Sequence, residues 1–268
     1  MALSVHSMMA AALLALCGTA TAEPPSSSLV DLELVIAVDV SRSMDAEEFA
    51  LQRDGYVAAI RHSEFVNAIL SGAERRIALT YVEWSGPDYQ VVRVPWRVVD
   101  GPEAAAAFAD DLAAQPLTTS RGTSISGAIL YGVSALETNK YKGIRRVIDV
   151  SGDGPNNYGR PVTTARDFAV AHDVVINGLP VLVRPSPIYP AMDRYYADCV
   201  IGGLGAFLLP VRSRDEFSLA IRRKLVLEVA GGPAIEARPV PVALRDPVDC
   251  LVGERTRERY AEPFLPGL

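Results

Sequence analysis

Apolar and polar positions fall in blocks whose period switches between strand-like and helix-like along the chain. Residues 32–40 (LELVIAVDV) are a nearly continuous apolar, β-branched run, the pattern of a strand buried on both faces inside a parallel sheet. Asp45 is placed to cap a helix over residues 46–70, with Phe49, Tyr56, Ile60 and Ile69 among its apolar positions. Two apolar strands follow, 77–84 and 90–96, and the turn formers Ser85-Gly86-Pro87-Asp88 between them predict a hairpin. Gly101-Pro102 opens an alanine-rich helix to residue 115, and a helix starting near Thr123 runs to 138. Residues 146–151 (RVIDVS) read as a strand, 163–172 as a helix and 174–183 as a strand. A helix over 192–199 and a final strand over 206–211 come next, and Ser213 caps a last helix ending at 229.

Strands alternating with helices predict an α/β fold, an open, mostly parallel sheet with helices on both faces and one antiparallel edge strand from the hairpin. From residue 231 the chain is rich in proline and lacks periodicity. It reads as an extended tail, 231–268, behind a domain spanning 31–230, with residues 23–30 (EPPSSSLV) as a linker.

The first 22 residues resemble an export signal. Residues 8–17 (MMAAALLALC) are a short apolar run, and Ala20-Thr21-Ala22 supplies the small–x–small pattern of a cleavage site. No Lys or Arg precedes the run, and a lipid anchor on Cys17 is the lesser reading because Leu16 stands where a small residue is wanted. The run falls short of the roughly 20 apolar residues a spanning helix needs, and no later stretch reaches that length. The expected location is therefore the periplasm or the exterior. Cleavage after Ala22 leaves Cys199 and Cys250, a candidate disulfide in an oxidising compartment. In a chain-entropy account such a loop contributes about 3–4 kcal/mol. Two separate, partly buried thiols are the alternative.

With 49% hydrophobic and 22% charged residues the chain can fill a core. A net charge of −6 disfavours nucleic acid and anionic membrane, which call for a basic surface.

In sheets of this kind ligands bind beyond the carboxyl ends of the strands, and three polar segments fall there: Asp39-Val40-Ser41-Arg42-Ser43, Arg121-Gly122-Thr123-Ser124 and Ser151-Gly152-Asp153-Gly154. Hard cations take oxygen ligands, and Mg²⁺ usually keeps some waters. Asp39, Ser41 and Ser43 can present three oxygens from one turn, Thr123 a hydroxyl and Asp153 a second carboxylate. Two carboxylates neutralise a divalent ion and the hydroxyls fill its sphere without excess charge. The two histidines beyond residue 22, His62 and His172, stand far from the cysteines in sequence, so soft ligation is not indicated.

These three segments, in this order and on these elements, resemble the metal-ion-dependent adhesion site (MIDAS) of von Willebrand factor A (VWA) domains. The resemblance spans residues 31–229. Residues 149–157 (DVSGDGPNN) and 195–207 (YYADCVIGGLGAF) further resemble a bacterial family of exported A-type domains, a domain of unknown function (DUF1194), which brings no established activity. The resemblance implies a Rossmann-like fold with one Mg²⁺ or Mn²⁺ at the top of the sheet, Ca²⁺ being a third choice of ion. Ser41, Ser43 and Thr123 would bind the metal, and Asp39 and Asp153 would bind it directly or through water. The implied partner is a protein whose Glu or Asp completes the coordination. In some such domains the last helix, here 213–229, shifts on binding.

Other readings stand beside this one. Ser41 and Ser43 can cap the next helix, with Asp39 bonding loop amides. Asp149 reads as a structural or edge residue pointing away from Asp153, and Arg42 as a solvated rim charge. Asn156, Asn157 and Tyr158 are rim or turn residues, and Trp84 and Trp96 pack the hairpin. Gly202 to Gly205 precedes a strand and is no phosphate cradle. No Gly-x-Ser-x-Gly elbow is present. A Mg²⁺-dependent hydrolase would want more carboxylates or a Lys grouped with Asp39 and Asp153. The sequence thus reads as a non-catalytic, metal-dependent binding module, with a scaffold carrying a vestigial metal site as the competing class.

Overall fold

The computed structural model describes residues 28–43, 46–184, 186–232 and 248–261. Its central strand, β1 (Leu29–Asp39), pairs in parallel with β2 (Ile77–Trp84) on one side and β4 (Lys142–Gly152) on the other. β3 (Gln90–Val99) runs antiparallel on β2, and β5 (Val175–Pro180) runs parallel on β4. The order β3-β2-β1-β4-β5 makes a five-stranded, mostly parallel sheet with one antiparallel edge strand, as the alternation of elements predicts.

With a neighbour on each edge and helices on each face, β1 is buried without a break from Leu32 to Asp39. Alternate side chains leave a strand on opposite faces. Leu32, Leu34, Ile36 and Val38 accordingly join a core closed by α1 (Ala46–Arg61), α2 (Ser63–Leu70), α3 (Pro102–Ala113) and α7 (Phe217–Ala230). Val35 and Ala37 join the opposite core, closed by α4 (Ile125–Thr138), α5 (Val162–Ala171) and α6 (Met192–Tyr195), which continues as a wider π turn over Tyr196–Val200. Trp84 is buried in this second core, while Trp96 is partly buried against Tyr141.

Several expectations need correction. The helix over 46–70 is two helices: His62 takes an extended ψ of 138° and its ring accepts a bond from Glu64 N–H at 3.2 Å, capping α2. Asp45 lies outside the described residues. Residues 206–211 form no regular strand but run beside β5 through isolated bridges, with Phe207 O accepting from Gly178 N–H and Pro180 O from Val211 N–H. Pro180 and Pro210 each remove a donor from that ladder. Ser213 makes no side-chain cap bond, and α7 is entered through a short 3₁₀ turn, Arg214–Glu216.

Asp149 is the structural residue the sequence suggests, though not an edge one, since β4 lies between β1 and β5. It is fully buried on β4, two residues before Ser151 on the same face, and ion-paired with Lys224 of α7. Lys224 also pairs with Glu228 one turn on, and Asn177 of β5 donates to Glu228 Oε2 at 2.6 Å. Part of the tail is helical rather than extended, as α8 (Val252–Ala261). Cys250 forms the expected bond to Cys199, the Cα atoms lying 5.6 Å apart. Among the described residues no helix is long and apolar enough to cross a membrane.

Candidate metal centre

β1 and β4 end side by side, which brings Asp39 and residue 153 to one end of the sheet. Asp39 is the last residue of β1 and fully buried, and its Oδ1 accepts from Ser41 N–H at 2.7 Å. This bond folds the next residues into a tight turn. Ser41 Oγ meets Ser43 Oγ at 2.8 Å, and the Ser43 hydroxyl donates to Asp153 Oδ1 at 2.6 Å. The turn is stitched to the loop before α4: Ser120 N–H donates to Val40 O at 3.0 Å and Arg42 N–H to Ser120 O at 3.1 Å. Arg42 itself is exposed.

That loop carries Thr123, which is buried at the side of the same opening. Ser124 caps α4, its hydroxyl accepting from Gly127 N–H at 3.1 Å, so the helix begins at Ile125, just past Thr123 and its neighbour. Ser43, Thr123 and Asp153 line one open cleft of about 330 Å³, with Asn157 and Arg184 on its wall. Asp39 and Ser41 lie buried beside it. All five predicted oxygen donors thus converge at one end of β1 and β4.

The electrostatics are those of two crowded carboxylates. Burial pushes the Asp39 carboxyl well above the usual carboxylate range, and the neighbouring charge of Asp153 adds to the rise. Burial also raises Asp153, partly offset by the Ser43 hydroxyl, while Glu48 raises it further. Asp39 Oδ2 is buried and has no hydrogen-bond partner among the described residues. A buried polar oxygen left unpaired is costly, and the donors around it are all hard oxygens. The set therefore suits a hard divalent cation by its chemistry. Among the described residues no group of three or more His, Cys, Asp or Glu side chains gathers as a metal cluster.

Several residues of the site escaped the sequence reading. Glu48, buried on α1, pairs with Arg184, and Arg184 also donates to Ser43 O at 3.1 Å. Tyr196 is fully buried, its phenol pushed well above its ordinary value by burial and then by the charges of Asp39 and Asp153. Asn156 and Asn157 do more than line a rim. Asn157 Oδ1 accepts from Thr123 N–H at 2.9 Å, and Asn156, fully buried, accepts from Ser126 N–H at 3.0 Å. Two adjacent asparagines after an Asp-Gly turn are the one sequence signal that pointed here.

A mostly parallel five-stranded sheet with one antiparallel edge strand, flanked by helices and with loops converging above β1 and β4, is the fold of VWA domains. It is similar to the proximal thread matrix protein 1 of the mussel byssus (TM-score 0.56, 13% identity, 75% of this chain and 48% of that one), whose solved forms include one with a zinc-occupied MIDAS motif. It is also similar to the pilus adhesin SpaC of Lactobacillus rhamnosus GG (TM-score 0.56, 12% identity, 75% and 30%) and to a von Willebrand factor type A protein of Catenulispora acidiphila (TM-score 0.54, 14% identity, 75% and 43%). The chain spans less than half the length of each of these proteins. Residues 29–233 match the model of a family described as a protein of unknown function, DUF1194, and the chain belongs to that family. No curated protein matches the sequence.

Proposed function

We propose that this chain is a divalent-metal-dependent protein-binding module of an exported protein, and not an enzyme. The observation that carries the reading is the buried Asp39 Oδ2, without a hydrogen-bond partner among the described residues, beside Asp153 and three hydroxyl residues at the end of the sheet. Ser41, Ser43 and Thr123 would hold the ion, with Asp39 and Asp153 bound directly or through water. Mg²⁺ or Mn²⁺ is the proposed ion, with Ca²⁺ as a third choice. When bound, the ion supplies a positive centre open to an acidic side chain. The chain's own part is to hold five oxygens in place, with two carboxyls whose burial and mutual repulsion disfavour their charge until a cation offsets it. The proposed ligand is a protein that offers a Glu or Asp to the cleft.

The likeness in fold to a pilus adhesin and a byssal matrix protein supports a binding role, and the zinc-occupied MIDAS motif of the latter supports a metal in this place. The net charge of −6 speaks against nucleic acid as the partner. The Cys199–Cys250 bond supports export, because disulfides persist in oxidising compartments. Residues 1–22 are proposed as the signal peptide, 23–30 as a linker, 31–230 as the VWA unit and 231–268 as its tail, in the periplasm or outside the cell.

Titration calorimetry of the mature chain with Mg²⁺ and Mn²⁺, against Asp39→Ala, tests this. Saturable binding in the parent and none in the variant is the expected result. Equal binding in both overturns the site. A partner pull-down that survives chelation unchanged would favour a scaffold with a vestigial site instead.

A further inference from the structure

Helix α8 stands outside the stretch that matches the family, yet it sits against the loop that braces Thr123. Its attachment is small and specific. Gly253 is buried, and a Cβ there would fall 2.0 Å from the carbonyl oxygen of Asn156, so only glycine lets the helix backbone lie on this loop. Glu254 Oε1 accepts from Asn156 Nδ2 at 2.7 Å. The Arg257 guanidinium lies 4.5 Å over the Tyr158 ring. Tyr195, whose hydroxyl accepts from Asn156 N–H at 3.2 Å, donates to the Cys250 carbonyl at 3.3 Å.

From these contacts a continuous set of bonds leads to Thr123. Asn157 holds Thr123 on both sides, its Oδ1 accepting from Thr123 N–H at 2.9 Å and its own N–H donating to Thr123 O at 2.8 Å. The Tyr158 ring packs on Gly122, which takes a φ of +88° and has no side chain to push it off. Beyond Glu254 the helix turns mostly exposed residues outward. A helix of ten residues is marginal on its own. The Cys199–Cys250 bond holds its start against the domain, which raises the local concentration of Gly253 and Glu254 at Asn156.

We propose that α8 is a disulfide-tethered brace for the metal centre, with Glu254 and Asn156 as positioning residues that preset Thr123. The inference rests on the reading of the site as a metal centre. Reduction of Cys199–Cys250, or loss of the Glu254 acceptor, frees residues 156–158 and lets Thr123 move.

Two measurements on the mature full chain test it. The first is amide hydrogen exchange in the metal-free protein, comparing parent, reduced parent, Glu254→Ala and Glu254→Gln. Faster exchange at Thr123 and Asn157 is expected in the reduced parent and in Glu254→Ala, with Glu254→Gln close to the parent because its amide oxygen still accepts from Asn156. The second is Mn²⁺ affinity, expected to fall about tenfold in Glu254→Ala, the lower end of what indirect support of a metal ligand is worth, and to recover in Glu254→Gln. Unchanged exchange and unchanged affinity in Glu254→Ala would overturn the brace. A parent that binds no Mn²⁺ would instead overturn the metal reading, and the exchange comparison would still decide the brace.

Discussion

The Ser43 hydroxyl donates to Asp153 Oδ1 at 2.6 Å, joining a turn at the end of β1 to the first residue beyond β4 across 110 positions of chain. Neither residue belongs to a strand, so their meeting depends on two parallel strands ending side by side. The bond gives one carboxylate a donor while Asp39 Oδ2 is left without one among the described residues.

Ser43→Ala is predicted to remove that donor and destabilise the metal-free protein by about 1 kcal/mol, a value reduced for the partial exposure of the pair. Chemical denaturation with a chelator present measures it. An unchanged midpoint would mean that water replaces the hydroxyl without loss.

Thr123→Val and Thr123→Ser should separate the hydroxyl of Thr123 from its shape. Valine keeps the volume and loses the oxygen. Mn²⁺ affinity is expected to drop by at least tenfold in Thr123→Val and to stay near the parent in Thr123→Ser, the folding midpoint shifting little in either. Equal affinity in all three proteins would remove Thr123 from the proposed ligand set.

Lys224→Met is predicted to destabilise the fold by about 3–5 kcal/mol, because it leaves Asp149 and Glu228 buried without their cation. Methionine fits the space and supplies no charge. A urea midpoint within error of the parent would show that the two carboxyls are already neutral in the folded protein.

Alkaline pH should unfold the protein through the same cluster. Burial pulls the Lys224 ammonium down, but Asp149 and Glu228 outweigh it and the net shift is upward. Tyr56, raised by burial and then by Asp149, shifts the same way. Both groups hold their proton more tightly folded than unfolded. Their stabilisation is therefore complete below the ordinary values of about 10 and is lost as pH rises through the folded values. Urea midpoints from pH 8 to 11 should fall more steeply in the parent than in Lys224→Met; parallel curves would exclude Lys224 as a source.

The chemistry of the site was legible because it lies where regular elements end. Asp39 closes an apolar run that reads as a buried strand, Thr123 precedes a helix, and residue 153 follows a second strand, so three short polar segments had defined places on the sheet. Lys224 was not legible. In a helix of low amphipathicity a lysine reads as solvated, and it takes Asp149, 75 residues away, together with Glu228 on its own helix to make its burial tolerable. Helix α8 was hidden for a related reason. Its sequence, VGERTRERYA, has no apolar stripe, since it docks through a glycine, one hydrogen-bonded carboxylate and a disulfide at its start.

The sequence by itself determined the five strands, which of their faces are buried, and the placing of Asp39, Thr123 and Asp153 at the ends of elements, because those follow from hydrophobic period and from which side chains stand at strand ends. Tertiary structure alone decided that Ser43 meets Asp153, that Glu48 and Arg184 pair beside them, and that Cys250 brings Glu254 to Asn156. Each of these contacts joins segments distant in the chain, and its formation depends on the distance and direction set by the packed core, which local pattern does not encode.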